Sequence, residues 1–233
     1  DMVRTNSESL TGALSRNEDT DYSKGIAITS IAQIDDITYV EPVRYPSGSS
    51  LMRFLAGPMI EAGPRVSERF AKVLGKTFRH PIDTYRMMAK PGWARYTTIL
   101  LAMQTEDTYM RVRQGRHPLT FFRRGLVSYL DEGQKVGEVE QAHQVTYSFA
   151  KKVNGAPAAS VSESLFGVPM TAHILGGAPM GLNADEGVIG LDCQVHNYPG
   201  LYVIDNSIMP ANPGVNPSLT TTALAEYAMS QVR

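Results

Sequence analysis

The chain has 233 residues, 42% of them apolar and 19% charged, with a formal net charge of −1, which allows a buried core and excludes a disordered chain. Balanced charge without a polybasic or polyacidic run gives no footing for nucleic acid as a partner. Cys193 is the sole cysteine, so an internal disulfide and Cys-based zinc spacing are excluded, and no apolar run reaches the roughly 20 residues that span a bilayer. The opening Asp1-Met2-Val3 has neither an initiator Met nor an export signal and reads as a fragment or a chain released by cleavage.

In chain order, Gly25 to Ile34 and Ile37 to Val43 are rich in β-branched residues around Asp35-Asp36 and predict a β-hairpin. Leu51 to Lys90 changes to helical spacing, with Val66, Phe70, Val73, Leu74 and Phe78 on one stripe and Arg69, Lys72, Lys76 and Arg79 off it. Such a basic amphipathic helix is either packed on a sheet with a solvated basic face or suited to an anionic membrane surface. Tyr96 to Met103 predicts a buried strand, Thr120 to Tyr129 a further strand pair, and Glu138 to Val153 a helix ended by Asn154-Gly155. Composition shifts at Ala156 to Ser160, and beyond Phe166 the chain is rich in Gly, Pro and Asn. Gly200 to Asp205 predicts a short strand, 206–217 a turn-rich loop, and Pro217 onward a helix with Asn216 as N-cap and Leu219, Ala223 and Tyr227 as its stripe. The fold class is therefore α+β: a mostly antiparallel sheet with covering helices over residues 1–165, then a distinct segment over 166–233.

The chemistry-bearing residues cluster late in the chain. His173 precedes Leu175-Gly176-Gly177; its ring titrates near neutrality, which suits proton exchange, and the glycines would let backbone approach a planar group closely. A core histidine is the plainer reading. Asn216 can cap the last helix through its oxygen or donate through its amide to a ligand. Asp205 reads equally as a turn-forming residue, and Glu41 as a solvated carboxylate on a strand face. His80, His117, His143 and His196 have no metal-like spacing and are read as surface or structural, so no metal is expected.

Taken together, His173 with Gly176-Gly177 and Met180-Gly181, then Gly200-Leu-Tyr-Val-Ile-Asp205-Asn206-Ser207, Asn212-Pro-Gly-Val-Asn216-Pro217-Ser218-Leu-Thr220 and Ala223-Leu-Ala-Glu226, resemble the carboxy-terminal signature of the glucose-methanol-choline (GMC) flavin oxidoreductases. The opening Val3-Arg-Thr-Asn-Ser-Glu8, together with Ile26-Ala-Ile-Thr-Ser30 and Glu41-Pro-Val-Arg-Tyr45, resembles the family's bacterial cholesterol-oxidase-like branch. The resemblance implies FAD as cofactor and oxidation of an alcohol, a 3-hydroxysteroid or similar bulky apolar secondary alcohol, by hydride transfer. It implies that His173 and Asn216 meet the hydroxyl, and that Gly176, Gly177, Asp205, Asn206, Asn216, Pro217 and Ser218 lie against the flavin. It also implies that Glu41, in the pattern Glu-x-x-x-x-Pro-x-Gly ending at Gly48, shifts a double bond after oxidation. Residues 166–233 then close an FAD-binding α/β domain of Rossmann type whose amino-terminal part, with its G-x-G-x-x-G turn, is absent from this chain; a second chain or missing segment is expected to supply it. A soluble protein of the bacterial cytoplasm or membrane periphery fits this reading. A redox-silent isomerase keeping Glu41, and a non-catalytic binding or regulatory subunit, are the alternatives.

Overall fold

The computed structural model describes residues 1–61, 65–116, 122–132 and 139–232. It resolves two compact units, one from residues 8–103 and 137–170 and the other from 1–7, 104–136 and 171–233.

The first unit is built on a six-stranded sheet. Its strands are β2 (Ser9–Ser15), β3 (Ala32–Gln33), β4 (Thr38–Val43), β5 (Ala56–Pro58), β6 (Thr97–Gln104) and β9 (Gly155–Ser160), in the order β3-β4-β6-β2-β9-β5. β2 lies between β6 and β9 and runs antiparallel to both. Its sequence, SLTGALS, has small residues where neighbours crowd: a Cβ on Gly12 would lie 2.4 Å from the Thr98 carbonyl oxygen. Period-two alternation splits the sheet's faces. Val40, Leu100 and Ala102 meet Val139 and Ala142 at helix α4 (Glu140–Lys152), whereas Leu14, Ile99 and Ala158 meet Met87, Trp93 and Ala94 on the other face. Helix α4 is further tied to β2 by the 2.6 Å Thr11–Thr146 hydroxyl pair.

The predicted hairpin is present in shorter form. β3 and β4 pair antiparallel, and the Asp35 carboxylate closes the turn by accepting from the Ile37 and Thr38 amides at 3.0 and 2.7 Å. The helical reading of 51–90 resolves into several pieces: a 3₁₀ turn at Ser49–Leu55, β5, α1 (Val66–Arg79) and α2 (Pro81–Met88), followed by the short α3 (Trp93–Tyr96). Proline interrupts the pattern, with Pro58 ending β5 and Pro81 opening α2.

Helix α1 departs from expectation in orientation. Phe70 and Phe78 are 53% and 78% exposed and Val66 and Leu74 are exposed with them, while Arg69 is buried. The inward face is held by cations on backbone carbonyls: Arg69 Nη1 donates to the Glu163 oxygen at 2.9 Å and Lys76 Nζ to Met59, while exposed Lys72 Nζ reaches the Glu61 carbonyl at 3.2 Å. Charge-assisted bonds of this kind outweigh burial of the aliphatic stripe.

Below α5 (Val161–Phe166), Glu163 is fully buried, accepting from Ser9 Oγ at 2.9 Å and pairing with His143 Nε2 at 2.7 Å. On the unit's rim, Arg16 grips Asp83 through two bonds of 2.8 and 2.7 Å. That grip, aided by Arg86 and His80, holds the Asp83 carboxyl below its ordinary value. A depressed carboxyl contributes stability above its unfolded pKa of about 3.9, and the contribution disappears as pH falls through the folded value. Asp83→Asn is therefore expected to flatten the decline of the urea midpoint below about pH 4; an unchanged decline would contradict the pairing.

In the second unit β1 (Val3–Arg4) pairs with β10 (Leu175–Gly176), and β7 (Arg111–Arg116) with β8 (Arg124–Tyr129). β8 falls within the strand pair expected over 120–129, whose first two residues lie outside the described ones. Ile189, Cys193, Ile208 and Ala228 form this unit's core. The strand expected at 200–205 is not formed. Tyr202 makes one isolated antiparallel bridge to Gln194, flanked by bonds from the Val195 amide to Leu201 at 2.8 Å and from the Val203 amide to Cys193 at 3.1 Å, a pairing too short to count as a strand. Helix α6 (Ser218–Gln231) is present, but Pro217 rather than Asn216 holds the N-cap position, with no side-chain cap bond. Its expected stripe also lies outward: Leu219 is 83% exposed and Ala223 and Tyr227 are exposed, while Ala228 is buried. The apolar residues of α6 are spread around its circumference, and Ala228, Leu224 and the Ile208 cluster supply the packing.

Candidate active site

In the second unit, residues 3–6 brace two of the segments singled out from the sequence. Val3 and Arg4 pair with Gly176 and Leu175, and the Thr5 carbonyl accepts from Thr171 Oγ1 at 2.9 Å. Thr171 Oγ1 in turn accepts from the His173 amide at 2.9 Å, fixing the backbone that carries the half-buried imidazole. Asn6, buried and in the left-handed region at φ 57°, reaches the other segment. Its Nδ2 donates to the Val215 carbonyl at 3.1 Å, its Oδ1 accepts from the Gly214 amide at 2.9 Å, and its own amide donates to Asn212 Oδ1 at 3.1 Å. Asn212 Nδ2 closes the clamp on the Glu106 carbonyl at 2.7 Å. The loop leading into Asn216 is thus fixed by Asn6 and Asn212, which the sequence reading had not singled out for a role. The turn-forming Asn212-Pro213-Gly214 run was the available signal.

The expected cofactor residues are joined to the same framework. The Ala178 amide donates to the Ser207 carbonyl at 2.9 Å, linking the Gly176-Gly177 turn to the 3₁₀ turn at Asn206–Ile208. Thr221 Oγ1 donates to Asn206 Oδ1, linking that turn to the first turn of α6. Asp205 Oδ1 accepts from the Ser207 amide at 2.8 Å and so caps the 3₁₀ turn. Gly176 is needed by the chain itself: at φ 69°, a Cβ there would sit 2.4 Å from the Met2 carbonyl oxygen. Gly177 at φ 102° meets nothing closer than 3.4 Å.

The start of α6 leaves the amides of its first turn without a side-chain cap, and Ser218, Leu219 and Thr220 are exposed. Unpaired N–H groups at the positive end of a helix form a donor set for an anionic or carbonyl edge. The residues present therefore fit the polar rim of a flavin ring. Among the described residues no group of three or more His, Cys, Asp or Glu is placed to hold a metal ion.

The first unit contains a small apolar cavity of about 80 Å³. β2 contributes Leu10, Gly12 and Leu14 to its wall, the 3₁₀ turn contributes Met52 and Leu55, and Tyr45 and Trp93 close one side with ring centroids 6.2 Å apart. Its lining suits an apolar group. Glu41 is 4% exposed on β4. Alternation puts it opposite Val40, hence on the face of the sheet that carries the cavity rather than α4. Tyr45 of the same Glu41–Gly48 stretch lines the cavity.

With this geometry in view, residues 110–225 match the family model for GMC oxidoreductase. The chain belongs to the GMC oxidoreductase family. It is 41% identical over 231 residues to a cholesterol oxidase of Acinetobacter baumannii, covering 99% of this chain and 41% of that protein. A cholesterol oxidase of Mycobacterium tuberculosis is 38% identical over 241 residues, covering 98% of this chain and 40% of the relative. The chain thus spans about two-fifths of the length of these relatives and corresponds to the carboxy-terminal domain of a cholesterol-oxidase-like GMC protein. The solved structure of pyridoxine 4-oxidase from Mesorbium loti superposes with a TM-score of 0.51 at 14% identity, over 98% of this chain and 42% of that one. That likeness concerns the fold, a mixed helical and antiparallel architecture. Among the described residues no helix is long and apolar enough to cross a membrane.

Proposed function

We propose that this protein takes part in the FAD-dependent oxidation of a bulky apolar secondary alcohol, a 3-hydroxysteroid or a close analogue. The observation that carries the reading is the bracing of His173 and Asn216 by one short segment, Thr5-Asn6, within a single unit. Residues 1–165 belong to the substrate-binding part and residues 166–233 to the cofactor-binding part. FAD, when bound, supplies the hydride acceptor. His173 and Asn216 hold the alcohol oxygen, and His173 takes the hydroxyl proton as the carbinol hydride departs, leaving a ketone. Gly176, Gly177, Asp205, Asn206, Pro217 and Ser218 hold the flavin's polar edge, aided by the α6 amides. Its diphosphate needs a strand, Gly-rich turn and helix that these 233 residues do not contain. A second chain or further segment contributes them.

Glu41 completes the reaction in this reading by removing a proton beside the new carbonyl and returning it two carbons away, converting a β,γ- to an α,β-unsaturated ketone. Glu41→Gln in the FAD-loaded enzyme is expected to leave alcohol oxidation within about threefold while slowing isomerisation by about 10²-fold or more, so that the β,γ-unsaturated ketone accumulates. Product analysis by ultraviolet absorbance checks this; conjugated ketone formed at the native rate would remove Glu41 from the mechanism.

The outward face of α1 adds a surface to this proposal. Phe70, Leu74 and Phe78 stand beside exposed Lys72 and Arg79, an apolar stripe flanked by positive charge that fits an anionic lipid surface. Phe70→Ser with Phe78→Ser is expected to reduce pelleting with phosphatidylglycerol vesicles about tenfold or more, roughly two aromatic anchors' worth of burial. Failure of the native chain to pellet at low salt would refute the surface assignment.

A further inference from the structure

Helix α1 carries a cation without a counter-ion. Lys76 is half-buried on the inward side of the helix, where its ammonium meets the Met59 carbonyl and stands 5.8 Å from the centre of the Tyr147 ring. Among the described residues no carboxylate comes within ion-pair distance of it. Burial pushes the Lys76 ammonium below its ordinary value, and the attraction of the more distant Glu61 and Asp83 offsets this only in part. Charges withdrawn from water are normally paired with an opposite charge, and this one has neutral partners alone.

The ammonium lines a cavity of about 210 Å³ at the corner between α1 and α2, together with His80, Arg16, Asp83 and Met87. Arg16 and Asp83 are committed to each other by the two bonds described above, and Arg16 Nη1 also donates to the Gly155 carbonyl at 3.3 Å. Lys76 and the exposed His80 ring are left to face a guest. Beside this cavity lies an apolar one of about 280 Å³, with Ala56, Val73, Met88, Val161 and Leu165 in its wall. The two share Pro58, Thr84 and Met87, and every one of these residues belongs to the first unit.

We propose that the two cavities form a binding site for an aliphatic monocarboxylate, a medium-chain fatty acid, whose head pairs with Lys76 beside His80 and whose chain passes over Met87 into the apolar cavity. A single negative charge is specified because Lys76 brings one uncompensated positive charge, while the Asp83 carboxylate in the same wall would oppose a dianion. An aliphatic chain is specified because the second wall is apolar, and Met87, unbranched and flexible, is the side chain at the junction best able to give way. The site uses no residue assigned to the reaction above and stands whether or not the bulky-alcohol reading holds.

The probes are octanoate, its uncharged counterpart octanamide, and acetate, each titrated calorimetrically into the full chain near neutral pH and below micellar concentration. Octanoate is expected to bind about tenfold or more tightly than octanamide, the gain of a charge-assisted bond. It should bind about 10²-fold more tightly than acetate, the burial of roughly four methylenes. Lys76→Met keeps an aliphatic stem and loses the charge; with its fold checked by circular dichroism, it should bind octanoate no better than octanamide. The comparisons on the native chain decide the matter by themselves if Lys76→Met does not fold. Equal binding of octanoate and octanamide, octanoate no tighter than acetate, a preference for octanoate that survives in Lys76→Met, or binding of none of the three overturns the proposal.

Discussion

Replacing His173 by Ala in the FAD-loaded enzyme is expected to lower kcat for alcohol oxidation by about 10²- to 10⁴-fold, the range of a positioned proton acceptor, with steroid affinity nearly unchanged. The asymmetry follows from the division of labour proposed above. Burial of the ligand's apolar body carries its affinity, whereas His173 acts on a hydroxyl whose proton leaves only in the transition state. Asn216→Ala should act in the same direction, by about 10²-fold or more, as expected for the loss of a donor aimed at a reacting oxygen. Stopped-flow measurement of flavin reduction separates these effects from product release. A His173→Ala enzyme reduced at the native rate would mean that the histidine serves packing alone.

The second large effect belongs to Asn6. Asn6→Ala removes the bonds to Val215 and Gly214, both buried or part-buried, and strands the Gly214 amide. Two hydrogen bonds lost and one buried amide left unpaired correspond to roughly 2–4 kcal/mol of unfolding free energy. Because the same bonds fix the loop that ends in Asn216, turnover should fall further than stability alone explains. Asn6→Asp keeps the acceptor for Gly214 and loses the donor to Val215, so it should fall between the native protein and the alanine variant. Urea titration checks the first expectation. An Asn6→Ala protein as stable as the native one would show that loop 212–217 is held by other means.

The secondary structure was legible wherever the side chains themselves specified it. Tyr96 to Met103 is apolar, β-branched in part and bounded by charge, and β6 forms there; the α4 pattern and its Asn154-Gly155 stop are equally local. β9 was not legible because it is made of Gly, Ala, Pro and Ser, which have poor strand propensity, and β2, SLTGALS, has Thr11 as its one β-branched residue. Their small size is imposed by neighbours such as the Thr98 carbonyl against Gly12, which the sequence cannot display. Helix α1 was recognised by its period, but its orientation was decided by tertiary partners, the carbonyls that take Arg69 and Lys76. The strand expected at 200–205 is cut short for another reason: its composition was right, but its pairing with residues 193–195 extends only over Leu201 to Val203.

At the candidate site, the spacing of Asn216-Pro217-Ser218 and of His173 with its glycines drew attention to the correct segments. The connection between them was hidden, because it runs through Thr5, Asn6 and Asn212, more than 160 residues from one another in part. Gly176 illustrates the limit of reading a motif by function alone, since the Met2 carbonyl demands a glycine there whatever the cofactor.

The central claim is that this chain serves oxidation of a bulky apolar alcohol with His173 at the reacting oxygen. The most direct measurement is anaerobic addition of a 3β-hydroxysteroid to the FAD-loaded enzyme while the flavin band near about 450 nm is followed. The account predicts that the band bleaches with formation of one ketone per flavin, and that bleaching slows by about 10²-fold or more in His173→Ala. A steroid that binds while the band stays intact, or bleaching indifferent to His173, would contradict it.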